Sequence, residues 1–386
     1  MGEVKPDIET IAKIRVVGVG GSGSAAVNRM IEAKIRGVDF IAMNTDVQAL
    51  HYTRAPQKLH IGKTTTRGLG AGMNPELGKR AAEESQNEIR DLLKNSDMVF
   101  VTCGLGGGTG SGASPIVASI ARDLGALTIA IVTKPFSFEG AQRRAIAEQA
   151  YDELANNVDT IIVIPNDRIL QIVDKKTTLP DAFKTADEVL RQGVEGISDL
   201  ITMPGLVNVD FADVKAIMQS TGTALMGIGR ASGENRAVAA AKAAVSSPLL
   251  DTSIEGARGI LFVVAGGPTL TMHEVNEAAK IITGTSDENA KVIFGAVIDD
   301  GLRDEIKVTV IATGFSGADR SGQAAAARIQ PYTPNRLLER QQAAPQDTAE
   351  PRPALFDKRV SAAAAERAKE SDEDLDIPAF IRKKMQ

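Results

Sequence analysis

The sequence predicts an α/β protein built on a Rossmann-like parallel sheet. Two observations carry this. Short β-branched runs alternate with segments of helical periodicity through the first half of the chain, and a glycine-rich turn stands where the first run gives way to the first helical segment. The runs fall at residues 13–19, 39–43, 97–103, 127–133 and 160–165, and they are largely apolar, as strands covered on both faces must be. Between them, residues 25–34, 75–94 and 113–124 place apolar side chains at helical spacing.

A long amphipathic helix is expected over 180–203. Pro180 suits a first helical position, and Phe183, Ala186, Leu190, Val194, Ile197 and Ile201 step by three or four. Pro204 and Gly205 stop it. Helices at 211–219 and 235–246 and β-rich runs at 259–265, 291–298 and 305–313 then predict a second, smaller α+β domain. From about residue 317 the chain turns to Pro, Ala, Gln and balanced charge, too little apolar content to offset the entropy of ordering. As a coil, residues 317–371 would span roughly 40 Å. The last segment, 372–386, leads with acids, gathers Leu375, Ile377, Phe380 and Ile381, and ends in bases. That is the pattern of a tethered peptide docked by partners, with a solubilising tail as the alternative.

Composition excludes several classes. At 386 residues the chain exceeds one core, and 43% hydrophobic against 24% charged residues is a globular balance, so most of it folds. Aromatics at 4% and a net charge of −5 argue against a nucleic-acid partner, which needs stacking platforms or bulk positive charge. The single cysteine, Cys103, rules out an intrachain disulfide and a Cys-rich zinc site; it reads as a packed side chain at a strand end. Three His without paired spacing offer no His-based metal site. No apolar run approaches the ~18 residues of a membrane span and the N-terminus shows no signal-peptide pattern, so a cytoplasmic protein without direct membrane insertion is expected.

The chemistry lies in two glycine-rich turns. Gly18, Gly20 and Gly23 match GxGxxG between a strand and a helix, with Asp46 downstream, the dinucleotide fingerprint in its expected setting. A ligand-free tight turn is the plain alternative. The second turn, 103–113, holds six glycines in nine residues (104–112), together with Thr109 and Ser111. So many glycines cost conformational entropy that a structural turn does not require, whereas a phosphate cradle uses the exposed N–H groups at a positive helix end. A Walker A reading of Gly62, Lys63 and Thr64 fails, because Gln57 occupies the place of the first glycine.

The GGGTGSG run at 106–112 resembles the tubulin-type signature. The segments 44–50, 68–75, 133–140, 164–168 and 208–215, with the terminal Asp376, Ile377, Pro378, Ala379 and Phe380, resemble the FtsZ family of bacterial cell-division GTPases. The resemblance runs from about residue 11 to 316 and resumes in the last fifteen residues. It implies an N-terminal tail (1–10), a GTP-binding domain (11–179), a connecting helix (180–204), an α+β domain (205–316), a disordered linker (317–371) and a partner-binding peptide (372–386).

Residue by residue, the resemblance implies that Gly20, Gly21, Ser22, Gly23, Ser24 and Ala25, with Asn44, Gly104, Gly107, Gly108, Thr109 and Gly110, hold the nucleotide around its phosphates. Glu139 and Arg143 would meet the ribose side; as residues they also read as a surface pair. Asn166 and Asp187 would read guanine and Phe183 would stack on it, and the spacing of four puts Phe183 and Asp187 on one helix face. A carboxylate suits guanine, whose edge presents adjacent N1–H and N2–H₂ donors. Asn208, Asp210 and Asp213 would enter the next subunit's pocket and polarise the attacking water; Asp210 reads equally as a helix cap.

The same resemblance implies GTP/GDP, Mg²⁺ held mainly by the phosphates, a head-to-tail homopolymer, and a ring beneath the inner membrane at the division site. A membrane-tethering adaptor and division regulators would bind the C-terminal peptide. Ser22, Ser24 and Ala25 depart from the family's usual first turn, and altered nucleotide affinity is expected of them. A nicotinamide-dependent oxidoreductase and a nucleotide-binding scaffold with little hydrolysis stand as the other readings.

Overall fold

In the computed structural model, which describes residues 12–171, 173, 177–202, 207, 209–247, 254–287 and 289–315, the expected alternation is present. The first half runs β1 (Ile14–Val19), α1 (Gly20–Glu32), β2 (Val38–Asn44), α2 (Val47–Tyr52), β3 (Gln57–His60), α3 (Lys63–Thr66), α4 (Pro75–Glu84), α5 (Gln86–Leu93), β4 (Met98–Gly104), α6 (Thr109–Asp123), β5 (Leu127–Lys134), α7 (Ala141–Asn157), β6 (Thr160–Pro165) and α8 (Asn166–Ile169). There follow α9 (Leu179–Thr202), α10 (Phe211–Met218), β7 (Gly222–Ser232), α11 (Arg236–Val245), β8 (Gly259–Gly266), α12 (Met272–Thr283), β9 (Lys291–Ile298) and β10 (Glu305–Thr313).

The strands form one ten-stranded sheet in the order β3-β2-β1-β4-β5-β6-β7-β10-β8-β9. β1 to β6 pair in parallel, and β7 joins β6 in parallel over three residue pairs. β10 runs antiparallel to β7 and β8, and β9 lies parallel to β8 at the far edge. The apolar runs read from the sequence are the buried strands, and α9 lays Ala186, Val189, Leu190, Val194 and Ile197 into a core that also takes Leu261, Val297 and Ile311 from the second half. Each such Val, Leu or Ile contributes about 1.5–3 kcal/mol by leaving water. Among the described residues no helix is long and apolar enough to cross a membrane.

Three local features differ from expectation. α1 and α6 begin at Gly20 and Thr109, several residues ahead of the predicted starts, so glycines read as loop are first helical turns. Contact explains this: a Cβ on Gly23 would stand 2.4 Å from Thr102 O, and one on Gly112 only 1.9 Å from Pro75 O. The single helix expected over 75–94 breaks at Ser85 (φ −103°, ψ 18°), whose Oγ accepts from Gly62 N–H at 3.1 Å. β3, β7 and α12 were not expected. β7 carries Gly222, Gly227 and Gly229, poor strand formers, yet a Cβ on Gly229 would reach within 2.0 Å of Ala240 O in α11.

Gly112→Ala forces a methyl against Pro75 O. We expect a loss of at least ~1–3 kcal/mol in a denaturant titration. Gly107→Ala, where a Cβ meets nothing within 4 Å, should leave the unfolding midpoint near its original value.

Candidate nucleotide site

Parallel strands deliver their connecting turns to one end of the sheet, and here the turns after β1, β2, β4, β5 and β6 open on a single cavity of about 400 Å³. At its floor two helix amino ends converge. Gly20, at φ +74°, opens α1 so close to α6 that a Cβ would stand 3.0 Å from Gly110 N. Gly21, Ser22, Gly104, Gly107, Gly108, Thr109 and Gly110 line the space. First-turn N–H groups have no intrahelical acceptor, so two sets of donors and two positive helix ends face the same volume.

Side chains fix this floor. Ser22 Oγ accepts from Gly104 N–H at 2.7 Å, which ties the first glycine turn to the second. The hydroxyls of Thr45 and Thr109 meet at 2.6 Å, and Ser111 Oγ accepts from Gly106 N–H at 2.9 Å. Gly70, Ala71 and Gly72 close the wall, pressed so near that a Cβ on Gly108 would lie 2.3 Å from Gly72 O.

The wall after β5 carries Thr133, Pro135, Glu139 and Arg143. Glu139 Oε1 accepts from Phe136 N–H at 2.9 Å and Oε2 from Arg143 Nη1, so the pair read from the sequence is made, one member on a 3₁₀ turn (Ser137–Glu139) and the other on α7. Asp167 of α8 steadies the same turn by accepting from the Ser137 N–H at 2.8 Å and from its hydroxyl. Burial pushes the Asp167 carboxyl up, but the Ser137 donors and Arg144 more than offset it and hold it below the ordinary carboxylate range.

At the end of β6, Asn166 lines the cavity, is buried, and leaves its Oδ1 without a hydrogen-bond partner. Phe183 faces the same space, 40% exposed, edge-on to Phe136 with ring centres 5.4 Å apart. Phe136 in turn stacks on Phe138 at 4.9 Å.

Not every residue named from the sequence lines the cavity. Gly20, Gly23 and Ser24 are buried beneath it, and Ala25 lies half-buried on α1. Asn44 is on the wall. Asp187 stands one turn beyond Phe183, where its Oδ2 accepts from Arg29 Nε at 2.7 Å. Asp210 and Asp213 are exposed at the start of α10, away from the cavity, and Asp210 Oδ1 caps that helix through Asp213 N–H at 2.7 Å. Asn208 and the peptide 376–380 lie outside the described residues. Sequence reasoning named Asp46 only as the acid of the dinucleotide fingerprint and did not single out Ala49, Gly70, Ala71, Gly72, Thr133 and Pro135, although all fall in segments that carried the resemblance. Ala186 was findable as the residue three beyond Phe183. Val19 and Leu105 gave no signal.

Residues 13–174 match the family model for the tubulin/FtsZ family GTPase domain, and residues 222–316 match that for the FtsZ family C-terminal domain. The chain is similar to an empty FtsZ dimer from M. jannaschii, with 48% identity over 79% of this chain and 89% of that one and a TM-score of 0.77. The chain belongs to the FtsZ family. A GTPγS-bound CetZ2 protofilament from Haloferax volcanii shares the fold at 22% identity, over 81% of this chain and 96% of that one, with a TM-score of 0.69. As a member of the FtsZ family the chain is a GTPase. The nicotinamide reading falls away.

Cys103, near the end of β4, is fully buried, and burial pushes its thiol up to about 12. The native protein should therefore resist iodoacetamide at pH 8.5 and react only on unfolding, as followed by mass spectrometry. Asp167→Asn should weaken GDP binding, seen by calorimetry. Because the Asp167 carboxyl is held low, its contribution to stability is present at pH 7 and is lost as pH falls below about 4. The stability difference between the wild type and this variant should shrink over that range.

Proposed function

We propose that this GTPase polymerises head to tail and hydrolyses GTP at the junction between subunits. The observation that carries the reading is the fate of the acids in the cavity. Asp46 Oδ1 is occupied by Gln48 N–H and Ala49 N–H at the start of α2, at 2.8 and 3.1 Å, and Glu139 is occupied by Phe136 and Arg143. Neither is disposed to orient an attacking water. Asp210 and Asp213 are exposed on α10, outside the cavity, as groups completing another subunit's site would be. The M. jannaschii dimer and the CetZ2 protofilament support self-association.

In this reading the nucleotide phosphates take the N–H groups at the starts of α1 and α6, Phe183 stacks on the base, and the unpartnered Asn166 Oδ1 accepts from guanine. The incoming Asp210 and Asp213 orient and polarise the water, a role whose loss typically costs ~10²–10⁴ in rate. Mg²⁺ is proposed to ride mainly on the phosphates. When bound it would neutralise charge there. A contact that joins one subunit's front to another's back does not close, so it builds filaments. We further propose that these form the cytokinetic ring beneath the inner membrane at the bacterial division site, with an adaptor and division regulators gripping Asp376–Phe380.

GTP turnover and light scattering measured against protein concentration test this. Both should rise from one shared threshold, and Asp213→Ala should scatter while turning over at least ~10²-fold more slowly. Specific activity independent of concentration, without scattering, would show a complete site in each monomer and refute the reading. Removal of residues 372–386 should preserve both signals and abolish recruitment to adaptor-bearing vesicles; loss of turnover in that truncation would count against the assigned role of the tail.

A further inference from the structure

The ion pair between Arg29 and Asp187 joins residues 158 apart in sequence, on α1 and α9. α1 begins at the phosphate floor, and α9 carries Phe183 and Ala186 of the cavity wall. Only Oδ2 of Asp187 is engaged, by Arg29 Nε; Oδ1 takes no hydrogen bond from the described residues. The Asp187 side chain is 13% exposed, and a carboxylate so placed is unstable unless a positive charge accompanies it.

We propose that Arg29 is a positioning residue for base recognition, holding the Asp187 carboxylate charged and oriented so that Oδ1 is the acceptor presented to guanine. This rests on the proposed reading of guanine by Asn166, extended to Asp187 as the family resemblance implies; Asp187 itself does not line the cavity, but its chain neighbour Ala186 does.

The surroundings leave Arg29 alone in this part. Burial raises the Asp187 carboxyl above its ordinary range, and Arg29 is the only charge among the described residues that pulls it back. On the elements packed against α9, β6 offers no ionisable side chain, Lys134 of β5 is paired with Glu148, Asp167 of α8 is committed to Ser137, Lys307 of β10 is paired with Glu195, and Arg230 of β7 acts on Glu188. Arg168 of α8 has its own partner. On α1, Glu32 pairs with Arg54. On α9 itself, Lys184 pairs with Asp181, and Glu188 with Arg191. Removing the Arg29 charge raises the Asp187 carboxyl further, and guanine then loses its charged acceptor at a higher pH than in the wild type.

The test is GDP affinity by calorimetry between pH 5.5 and 8.5 for full-length wild type, Arg29→Met, Arg29→Lys and Asp187→Asn, each as a ratio to wild type at the same pH, which cancels titration of the nucleotide. Arg29→Met should bind nearly as wild type at pH 8.5 and progressively more weakly as the pH falls toward 5.5, because losing the cation raises the Asp187 carboxyl further. Arg29→Lys keeps the charge and should stay close to wild type throughout. Asp187→Asn should be weak at every pH. A constant loss in Arg29→Met, or the same profile in Arg29→Lys, overturns the proposal while leaving Asp187 as the base reader. Wild-type affinity in Asp187→Asn would instead remove the reading on which the proposal rests. Should Arg29→Met fail to fold, Arg29→Gln takes its place, with the pH-dependent ratio again deciding.

Discussion

Backbone must touch backbone where the two glycine turns meet, and the site follows from that contact. A Cβ on Gly18 would collide with Gly23 O at 2.4 Å, and one on Gly104 with Ser22 Oγ at 2.4 Å. With no side chains between them, the starts of α1 and α6 come close enough to aim their free N–H groups into one volume. Glycine in a helical turn costs about 0.5–1 kcal/mol against alanine, and here the cost is offset by the packing that only glycine permits. The Gly70–Gly72 wall is positioned by the same logic, through Gly108 and through Gly78, whose Cβ would stand 2.4 Å from Gly108 O.

The cavity is divided by chemistry as well as by place. In the proposed reading its phosphate end binds through main-chain donors and helix dipoles, which would let a chain of net charge −5 hold a polyanion without a lysine in either glycine turn. Its base end offers acceptors instead: Asn166 Oδ1 is left unpartnered, and nearby Asp187 has one oxygen uncommitted. Donors at one end and acceptors at the other match a nucleotide whose phosphates accept and whose base donates. The acids on the walls between them, Asp46 and Glu139, are held in internal bonds and shape loops.

Much of this was legible in the sequence because it rests on local pattern. Apolar runs marked β1, β2, β4, β5 and β6, and the clustered glycines marked both turns of the phosphate floor. Helix starts were misplaced because glycine propensity says loop, while the contacts that make helix possible there involve Thr102 and Pro75 from other elements. β7 was missed for a similar reason: Gly229 is dictated by α11, not by strand preference. The Arg29–Asp187 pair joins distant residues, which spacing rules cannot connect, and the break at Ser85 depends on a bond to Gly62 that no helix pattern reveals.

β6 and β7 share only Thr160–Gly222, Ile161–Thr223 and Ile162–Ala224, the shortest ladder in the sheet, whereas β7 and β10 pair over eight residues. Across that junction the two halves are also joined by the apolar contact of α9 with its neighbours on both sides, and by polar links such as Lys307 Nζ to Glu195 Oε2 at 3.0 Å. Hydrogen-bond ladders are directional and break in steps; apolar contact is non-directional and tolerates sliding while opposing separation. Mechanically, then, the molecule resembles two stiff plates with a greased seam. Under a twisting load the plates keep their shape, and the deformation collects along the seam.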